Sequence, residues 1–372
     1  MRRITIEEIA ALEAKNICSR MKIPEYISLE EKGSDLNVTT PIQRFDNYQC
    51  IVDVDSFDKW YRTHKETSNI FFRGVKEAKY KNFTSAQRLY YKHDYLSVGP
   101  YDLVKAHIEE MRKVRNGILP AYCESMNMPC TDLFLLSCSQ HHKNGISPLL
   151  DFTSNLNTAL FFMCNDAQPP IGGSGVNHSM DINNFVSLYT TNPLNGYVSL
   201  QSLCNALIKA ITQEAAQQLT DKEIDLSNLL KHKKAQRELA DIFNGCVVKF
   251  FTYSNIRAVL YEIYDYKPIL IENRPLKIKL NDYEVNTRLI ISNLNIVAQQ
   301  GCFLYHDYGI APLEKGITCV DIHKSLIPYI VNKYLKANNI NKYSLFPTED
   351  NIVNKSTFNM MANIVVPHYE EC

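Results

Sequence analysis

Arg73, followed directly by Gly74, is the position in this sequence best suited to hold an anion. A guanidinium fork pairs bidentately with phosphate, and a glycine beside it lets a ligand approach the backbone. A second polar run, Gln140-His141-His142-Lys143-Asn144-Gly145-Ile146-Ser147-Pro148-Leu149-Leu150-Asp151-Phe152-Thr153-Ser154, gathers an amide, two imidazoles, a carboxylate and hydroxyls. His141 and Asp151 are candidate acid–base partners, because a carboxylate that accepts one ring proton orients the imidazole for transfer at its other nitrogen. Asp151 is equally placed to pair with Arg73, and a structural arginine held by that carboxylate or by a carbonyl is the competing reading, since buried charge seldom stays unpaired. Thr153 and Ser154 precede an apolar run. At a helix N-terminus their hydroxyls and the free backbone N–H groups favour phosphate, although the same residue types also serve as plain N-caps. His141 and His142 would project about 100° apart on a helix and do not share one metal, so no metal site is expected. Gln140, Gln299 and Gln300 are amides, able to read a ligand but not to take a proton.

The elements that must position these groups follow from periodicity. Ile4 to Ile17 reads as an amphipathic helix, and Tyr48 to Val54 as a strand followed by a helix with Ser56 as N-cap. Asn69 to Phe72 is a short apolar run, predicting a buried strand that ends at Arg73-Gly74. Val104, Ile108, Met111, Val114 and Ile118 recur at helical spacing and stop before Pro120; Thr131 is the expected N-cap of a helix running to Gln140 and His141. A third helix is expected from about Ser154, burying Leu156, Ala159, Leu160 and Met163, with Asp151 to Ser154 at its N-terminus. Gln168 to Asn177 is the clearest loop signal, and Phe185 to Tyr189 reads as a strand. Val198 to Leu219 and Glu223 to Phe243 read as two long inserted helices; strands are expected at Cys246 to Phe251, Val259 to Tyr264, Ile269 to Ile271 and Ile296 to Tyr305. The expected fold class is α+β, a mixed, strand-rich core with an N-terminal helical part and an inserted pair of long helices.

Composition narrows the partners. Lys plus Arg equals Asp plus Glu at 40 each, so no global field draws nucleic acid or an anionic membrane, and nucleic acid is not the expected partner. A hydrophobic content of 45% supports a folded globule rather than a disordered chain. The 11 cysteines contain no Cys-x-x-Cys pair, which argues against a disulfide framework and a thiolate zinc site and suits a reducing cytosol. No segment approaches the ~20 apolar residues that span a bilayer, and the expected location is the cytoplasm.

Phe72-Arg73-Gly74 and the Gln140-to-Ser154 run, in that order, resemble the signature of the FRG domain family. Arg288 with the Asn295-to-Phe303 segment, and Leu345-Phe346-Pro347, are similar to later motifs of that family, so the likeness extends from about residue 50 to 350. Ser147 stands where the family usually has Thr, Pro148 where Arg is common and Phe152 where Trp is common, and an extra residue separates His142 from Gly145. The resemblance implies a chain divided into a helical segment 1–45 packing on the core, an FRG domain 46–350 with a helical insertion at about 195–243, and a tail 351–372. A fold-level analogy with ADP-ribosyltransferases follows from the order of strand-Arg-Gly, Thr-Ser and a late strand motif. It implies that Arg73 and Gly74 hold NAD, that Thr153 and Ser154 support its ribose, and that Gln300 takes the late position. There an amide lacks the charge of a carboxylate, a role left to Asp151 or Glu284.

The expected site comprises Arg73, Gly74, Gln140, Thr153 and Ser154 as ligand-binding residues and His141, Asp151 and Gln300 as catalytic ones. It binds a phosphate-bearing or nucleotide-like ligand, NAD among the candidates, with transferase or glycohydrolase chemistry conceivable. Two other readings stand beside it: a non-catalytic sensor with residues 198–243 as a protein-partner surface, and a metal-independent hydrolase or nuclease using His141 and Asp151. The first reading requires Arg73, Asp151 and Gln300 to converge around one hollow.

Overall fold

The computed structural model of the protein describes residues 48–92, 98–140, 145–171, 181–192, 196–220, 225–262, 267–290, 293–307, 309–314 and 316–347. The expected helix at Ile4 to Ile17, His141 and the tail 351–372 lie outside the described residues.

In chain order the strands are β1 (Gln49–Ile51), β2 (Phe71–Val75), β3 (Leu149–Thr153), β4 (Phe185–Thr191), β5 (Val198–Ser199), β6 (Ile269–Glu272), β7 (Leu276–Leu280), β8 (Tyr283–Thr287), β9 (Gly301–Tyr305) and β10 (Thr318–His323). The helices are α1 (Val54–Lys65), α2 (Ser85–Lys92), α3 (Pro100–Ser125), α4 (Asp132–Gln140), α5 (Leu156–Cys164), α6 (Leu200–Thr220), α7 (Leu226–Leu229), α8 (Lys233–Phe250), α9 (Tyr253–Glu262), α10 (Leu294–Ala298), α11 (Ile327–Ile330) and α12 (Lys342–Leu345). Eight strands form one mixed sheet in the order β1-β10-β4-β2-β3-β9-β6-β5, and β7 with β8 forms a separate hairpin. This is the expected α+β architecture.

Strand alternation gives the sheet two apolar faces. On one face Phe72, Val186, Leu188, Val320 and Ile322 pack with Phe57 and Trp60 of α1 and Ala159, Leu160 and Met163 of α5. Further along the sheet, Leu149, Phe303, Tyr305, Ile269 and Ile271 join Leu133, Leu136, Leu207, Phe243 and Val247 from α4, α6 and α8. The opposite face, with Phe71, Leu150, Phe152, Tyr189 and Leu304, is covered by Tyr197, Leu313 and Ile317 from connecting segments. At the centre, β2 and β3 meet at one register pair only, Phe72 with Thr153, whereas β3 and β9 pair along their full length from Leu149–Tyr305 to Thr153–Gly301. The sheet therefore loosens where the Phe-Arg-Gly triplet lies.

Several expectations are corrected by the fold. The N-cap of α1 is Asp53, whose side chain accepts from Ser56 N, not Ser56 itself. Helix α3 continues past Pro120 but breaks at Val114–Gly117, where Arg115, Asn116 and Gly117 take left-handed angles; Val114 and Ile118 are consequently exposed rather than core residues. Cys246 to Phe250 is the end of α8, not a strand, because Leu239, Phe243, Cys246, Val247 and Phe250 form one buried helical stripe. Val259 and Leu260 likewise belong to α9, and Ile296 to α10, so the late strand starts only at Gly301. The β7–β8 hairpin went unread despite the strict buried–exposed alternation of Leu276 to Leu280 and a left-handed Asn281 at its turn. The first long helix is present as α6; the expected second one, Glu223 to Phe243, is instead the short α7 followed by α8, which starts only at Lys233 and runs on to Phe250, and Leu203, Cys204 and Leu207 are buried with Leu239 and Phe243. The described cysteines are free thiols, and burial pushes Cys164 and Cys204 up to about 12, so neither is a thiolate at neutral pH. Among the described residues no helix is long and apolar enough to cross a membrane.

Candidate functional site

The site is built where the loosened β2–β3 seam meets the C-terminal end of α4 and the start of α2. Thr131 caps α4 by accepting from Phe134 N at 3.0 Å, as its sequence position suggested, and the helix delivers Gln140 over β3. The Gln140 amide is fixed at both ends: Oε1 accepts from Ser147 Oγ at 2.6 Å, and Nε2 donates to Asp151 Oδ2 at 2.8 Å. Ser147 also accepts from Leu149 N through its hydroxyl, while its backbone N–H donates to Ser85 Oγ at 2.9 Å. A hydroxyl at position 147 thus orients the amide.

Arg73 reaches the same place from β2. Its Nη1 donates to the Asp151 carbonyl at 2.9 Å and stands 4.0 Å from Asp151 Oδ2, a weaker contact than the backbone bond. Arg73 is 16% exposed at its side chain and Asp151 57%, so the cation is sheltered while the carboxylate faces solvent. Buried Arg73 Nε has no hydrogen-bond partner. Burial pushes the Arg73 pKa down and the Asp151 charge pushes it back up, leaving a cation that remains protonated but is incompletely satisfied.

A second guanidinium, which the sequence reading missed, joins it. Helix α2 starts with a reciprocal capping box: Gln87 N donates to Thr84 Oγ1 at 3.3 Å, and Thr84 N donates to Gln87 Oε1 at 3.0 Å. Gln87 Nε2 also donates to Ala311 O at 2.7 Å, tying the helix to the segment after β9. Arg88 follows Gln87; the residue is solvent-exposed, but the protein atoms around its guanidinium and then the positive charge of Arg73 lower its pKa, with Asp151 acting in the opposite sense. The Arg88 backbone N–H donates to Thr84 O at 2.9 Å, while its side chain makes no hydrogen bond or ion pair among the described residues. The Thr84-x-x-Gln87 pattern was a legible signal for the helix start; no sequence signal links Arg88 to Arg73.

The remaining expected residues play different parts. Gly74 does not open the backbone to a ligand: a Cβ there would lie 1.9 Å from Ala159 O and 2.7 Å from Met163 N, so the residue is glycine because α5 packs directly on β2. Thr153 and Ser154 end strand β3 rather than beginning a helix, and Asn155 caps α5 by accepting from Asn157 N and Thr158 N. Thr153 Oγ1 is buried, donating to Gln299 O at 2.6 Å and accepting from Asn155 N at 3.0 Å. Ser154 extends the β3–β9 ladder by donating its N–H to Gln300 O at 3.1 Å. Ser154 and Gln300 line a cavity of about 500 Å³ at the end of the sheet, together with Glu272 and Arg274, and neither Arg73 nor Asp151 is among its lining residues. The expected convergence of Arg73, Asp151 and Gln300 on one hollow is therefore corrected. Arg73 and Asp151 meet, while Gln300 sits at the strand end opposite Ser154, three residues and so about 10 Å along β3 from Asp151. Glu284 is remote from both places in kind: it lies on β8 and pairs with Lys277 and Lys279 of the neighbouring β7 strand.

Comparison with known proteins gives one match: residues 68–170 match the family model of the FRG domain. No curated protein and no solved structure matches the chain.

Proposed function

Starting from the FRG domain that the chain carries at residues 68–170, we propose that the protein binds a phosphate-bearing, nucleotide-like anion against Arg73 and Arg88. The observation that carries this reading is the pairing of like charges. The Arg73 charge is close enough to Arg88 to lower its pKa, Arg73 Nε is buried without a partner, and the nearby carboxylate, that of Asp151, is exposed and already accepts from Gln140. Holding two cations together is unfavourable until a counter-charge arrives. A phosphate or pyrophosphate supplies that charge and the acceptor oxygens that Arg73 Nε and the Arg88 fork lack, and guanidinium forks match its geometry. Gln140, locked by Ser147 and Asp151, frames the site as a rigid amide rather than as a proton carrier.

NAD and ADP-ribose, each with a pyrophosphate, are the candidate ligands of this class. Titration calorimetry with pyrophosphate, ADP-ribose, NAD and AMP is the test. Heat with pyrophosphate and with the nucleotides supports the reading, and absence of heat with all of them ends it. Nicotinamide released from NAD in the same samples, tracked by chromatography, would extend the reading from binding to glycohydrolase or transferase chemistry.

A further inference from the structure

The cavity at the end of the sheet has a different chemistry from the arginine pair. Its polar lining includes Asn69, Ser154, Glu272, Asn273, Arg274 and Gln300. Its apolar lining includes Phe71, Ile296 and Val297, the last 59% exposed. Glu272 and Arg274 neutralise each other, with Arg274 Nη2 2.5 Å from Glu272 Oε2, so the lining carries no net charge to attract a phosphate. The other carboxylate oxygen stays available to accept hydrogen bonds.

Two left-handed residues border the cavity. Asn69 has φ 62° and Gln300 φ 48°, both left-handed, and both line this space. Asn tolerates that region, but Gln is there at a conformational cost that glycine would avoid. The Gln300 side chain makes only a 3.5 Å contact, from Ser154 Oγ to its Oε1. The Gln300 backbone closes helix α10 by donating to Val297 O at 3.1 Å and joins the β3–β9 ladder by accepting from Ser154 N at 3.1 Å, which leaves its side chain to line the cavity.

We infer that this cavity binds a neutral, hydroxyl-rich ring bearing vicinal hydroxyls, with Glu272 accepting from the diol, Gln300 and Asn69 reading the remaining hydroxyls, and Phe71 and Val297 facing the C–H surface of the ring. A carboxylate beside neutral amides and hydroxyls over an apolar floor complements a sugar, which presents donors and acceptors at its rim and C–H groups on its face. The sugar can come from a nucleoside or from a free saccharide. The site stands apart from the arginine pair and does not rest on the phosphate reading.

The test uses saturation-transfer NMR on the full chain with adenosine, 2′,3′-dideoxyadenosine and a glucose trisaccharide, none of which carries phosphate. Adenosine binding without dideoxyadenosine binding assigns a nucleoside ribose, and trisaccharide binding alone assigns a glycan. In either case Glu272→Gln and Gln300→Gly are expected to weaken binding by roughly tenfold or more, the loss of a hydrogen bond involving a charged or well-placed group. Gln300→Gly is also expected not to lower the melting temperature, because glycine suits φ 48°. No transfer to either diol ligand, equal transfer to dideoxyadenosine, or affinity unchanged in both variants overturns the inference. Each of these outcomes leaves the calorimetric result with pyrophosphate unaffected, so the two sites are judged separately.

Discussion

Arg88→Ala and Arg73→Ala separate a ligand-binding guanidinium from a structural one. The Arg88 side chain makes no hydrogen bond or ion pair among the described residues, and its repulsion from Arg73 outweighs its attraction to Asp151, so its removal costs the fold little. Stability should stay within about 0.5 kcal/mol of the parent, the usual range for a surface substitution. Arg73 differs, because its loss strips the Asp151 carbonyl of a donor at 2.9 Å. An acceptor left wanting costs about 1–3 kcal/mol, partly offset because a desolvated cation disappears with it. Binding should respond in both variants. A hydrogen bond to a charged group contributes about 1.5–3 kcal/mol, which at about 1.4 kcal/mol per decade is a loss of roughly 10- to 150-fold in pyrophosphate affinity for Arg88→Ala. Salt provides a check, since the Debye length falls from about 10 Å at 0.1 M to about 3 Å at 1 M, and the parent should lose more affinity over that range than the variant. Calorimetry gives the affinities and urea unfolding the stabilities. The reasoning fails if Arg88→Ala unfolds as readily as Arg73→Ala, which would make Arg88 part of the scaffold, or if its pyrophosphate affinity equals that of the parent.

Further outcomes follow from other contacts. Gly74→Ala drives a methyl group to 1.9 Å from Ala159 O, a backbone atom that cannot swing away, and should destabilise by about 3 kcal/mol or more, read as a lower urea midpoint; an unchanged midpoint would show that α5 slides freely on β2. Asp151→Asn keeps an oxygen for Gln140 and removes an exposed charge, so stability should change by less than about 1 kcal/mol while pyrophosphate affinity rises; weaker pyrophosphate binding would count against an anion site. His306 and Asp307 are buried neighbours whose pKa values move in opposite directions. Burial lowers His306 to about 4, and burial raises Asp307 to about 6 against the pull of Arg257. His306 contributes stability above its unfolded pKa that is lost as pH falls toward 4; Asp307 contributes stability at low pH that is lost as pH rises toward 6. Their slopes nearly cancel between those values. Replacement His306→Gln should therefore make the protein more stable as pH drops from 6 to 4, and a urea midpoint that falls over this window in the variant would refute the assignment.

Legibility in the sequence varied with the kind of evidence. Apolar runs located β2, β4, β6 and α4, of which β4 is buried on both faces and α4 buries four consecutive apolar residues, Leu133 to Leu136, while helical periodicity located α6. It failed at Cys246 to Phe250, where an apolar run fits both a strand and a helix stripe, and only packing against α6 decides between them. It failed again at Asp151 to Ser154, expected at the N-terminus of a helix from about Ser154: pairing with β9 makes Leu149 to Thr153 a strand, and Asn155 caps the helix. Short runs carry both periods, and the neighbour chooses.

For the site, residue type alone marked Arg73, Gln140 and Asp151 as polar groups in an apolar setting, and the coordinates bring these three together. Chain order could not say that Gly74 is an imprint of α5, that Thr153 spends its hydroxyl on Gln299, or that Gln300 opens onto a separate cavity. Nor could it place Arg88 beside Arg73, since the two are on different elements joined only through tertiary packing. A sequence specifies which groups are able to act; which of them share a dielectric environment depends on distances between segments far apart in the chain, and those are set by the sheet and the helices packed on it.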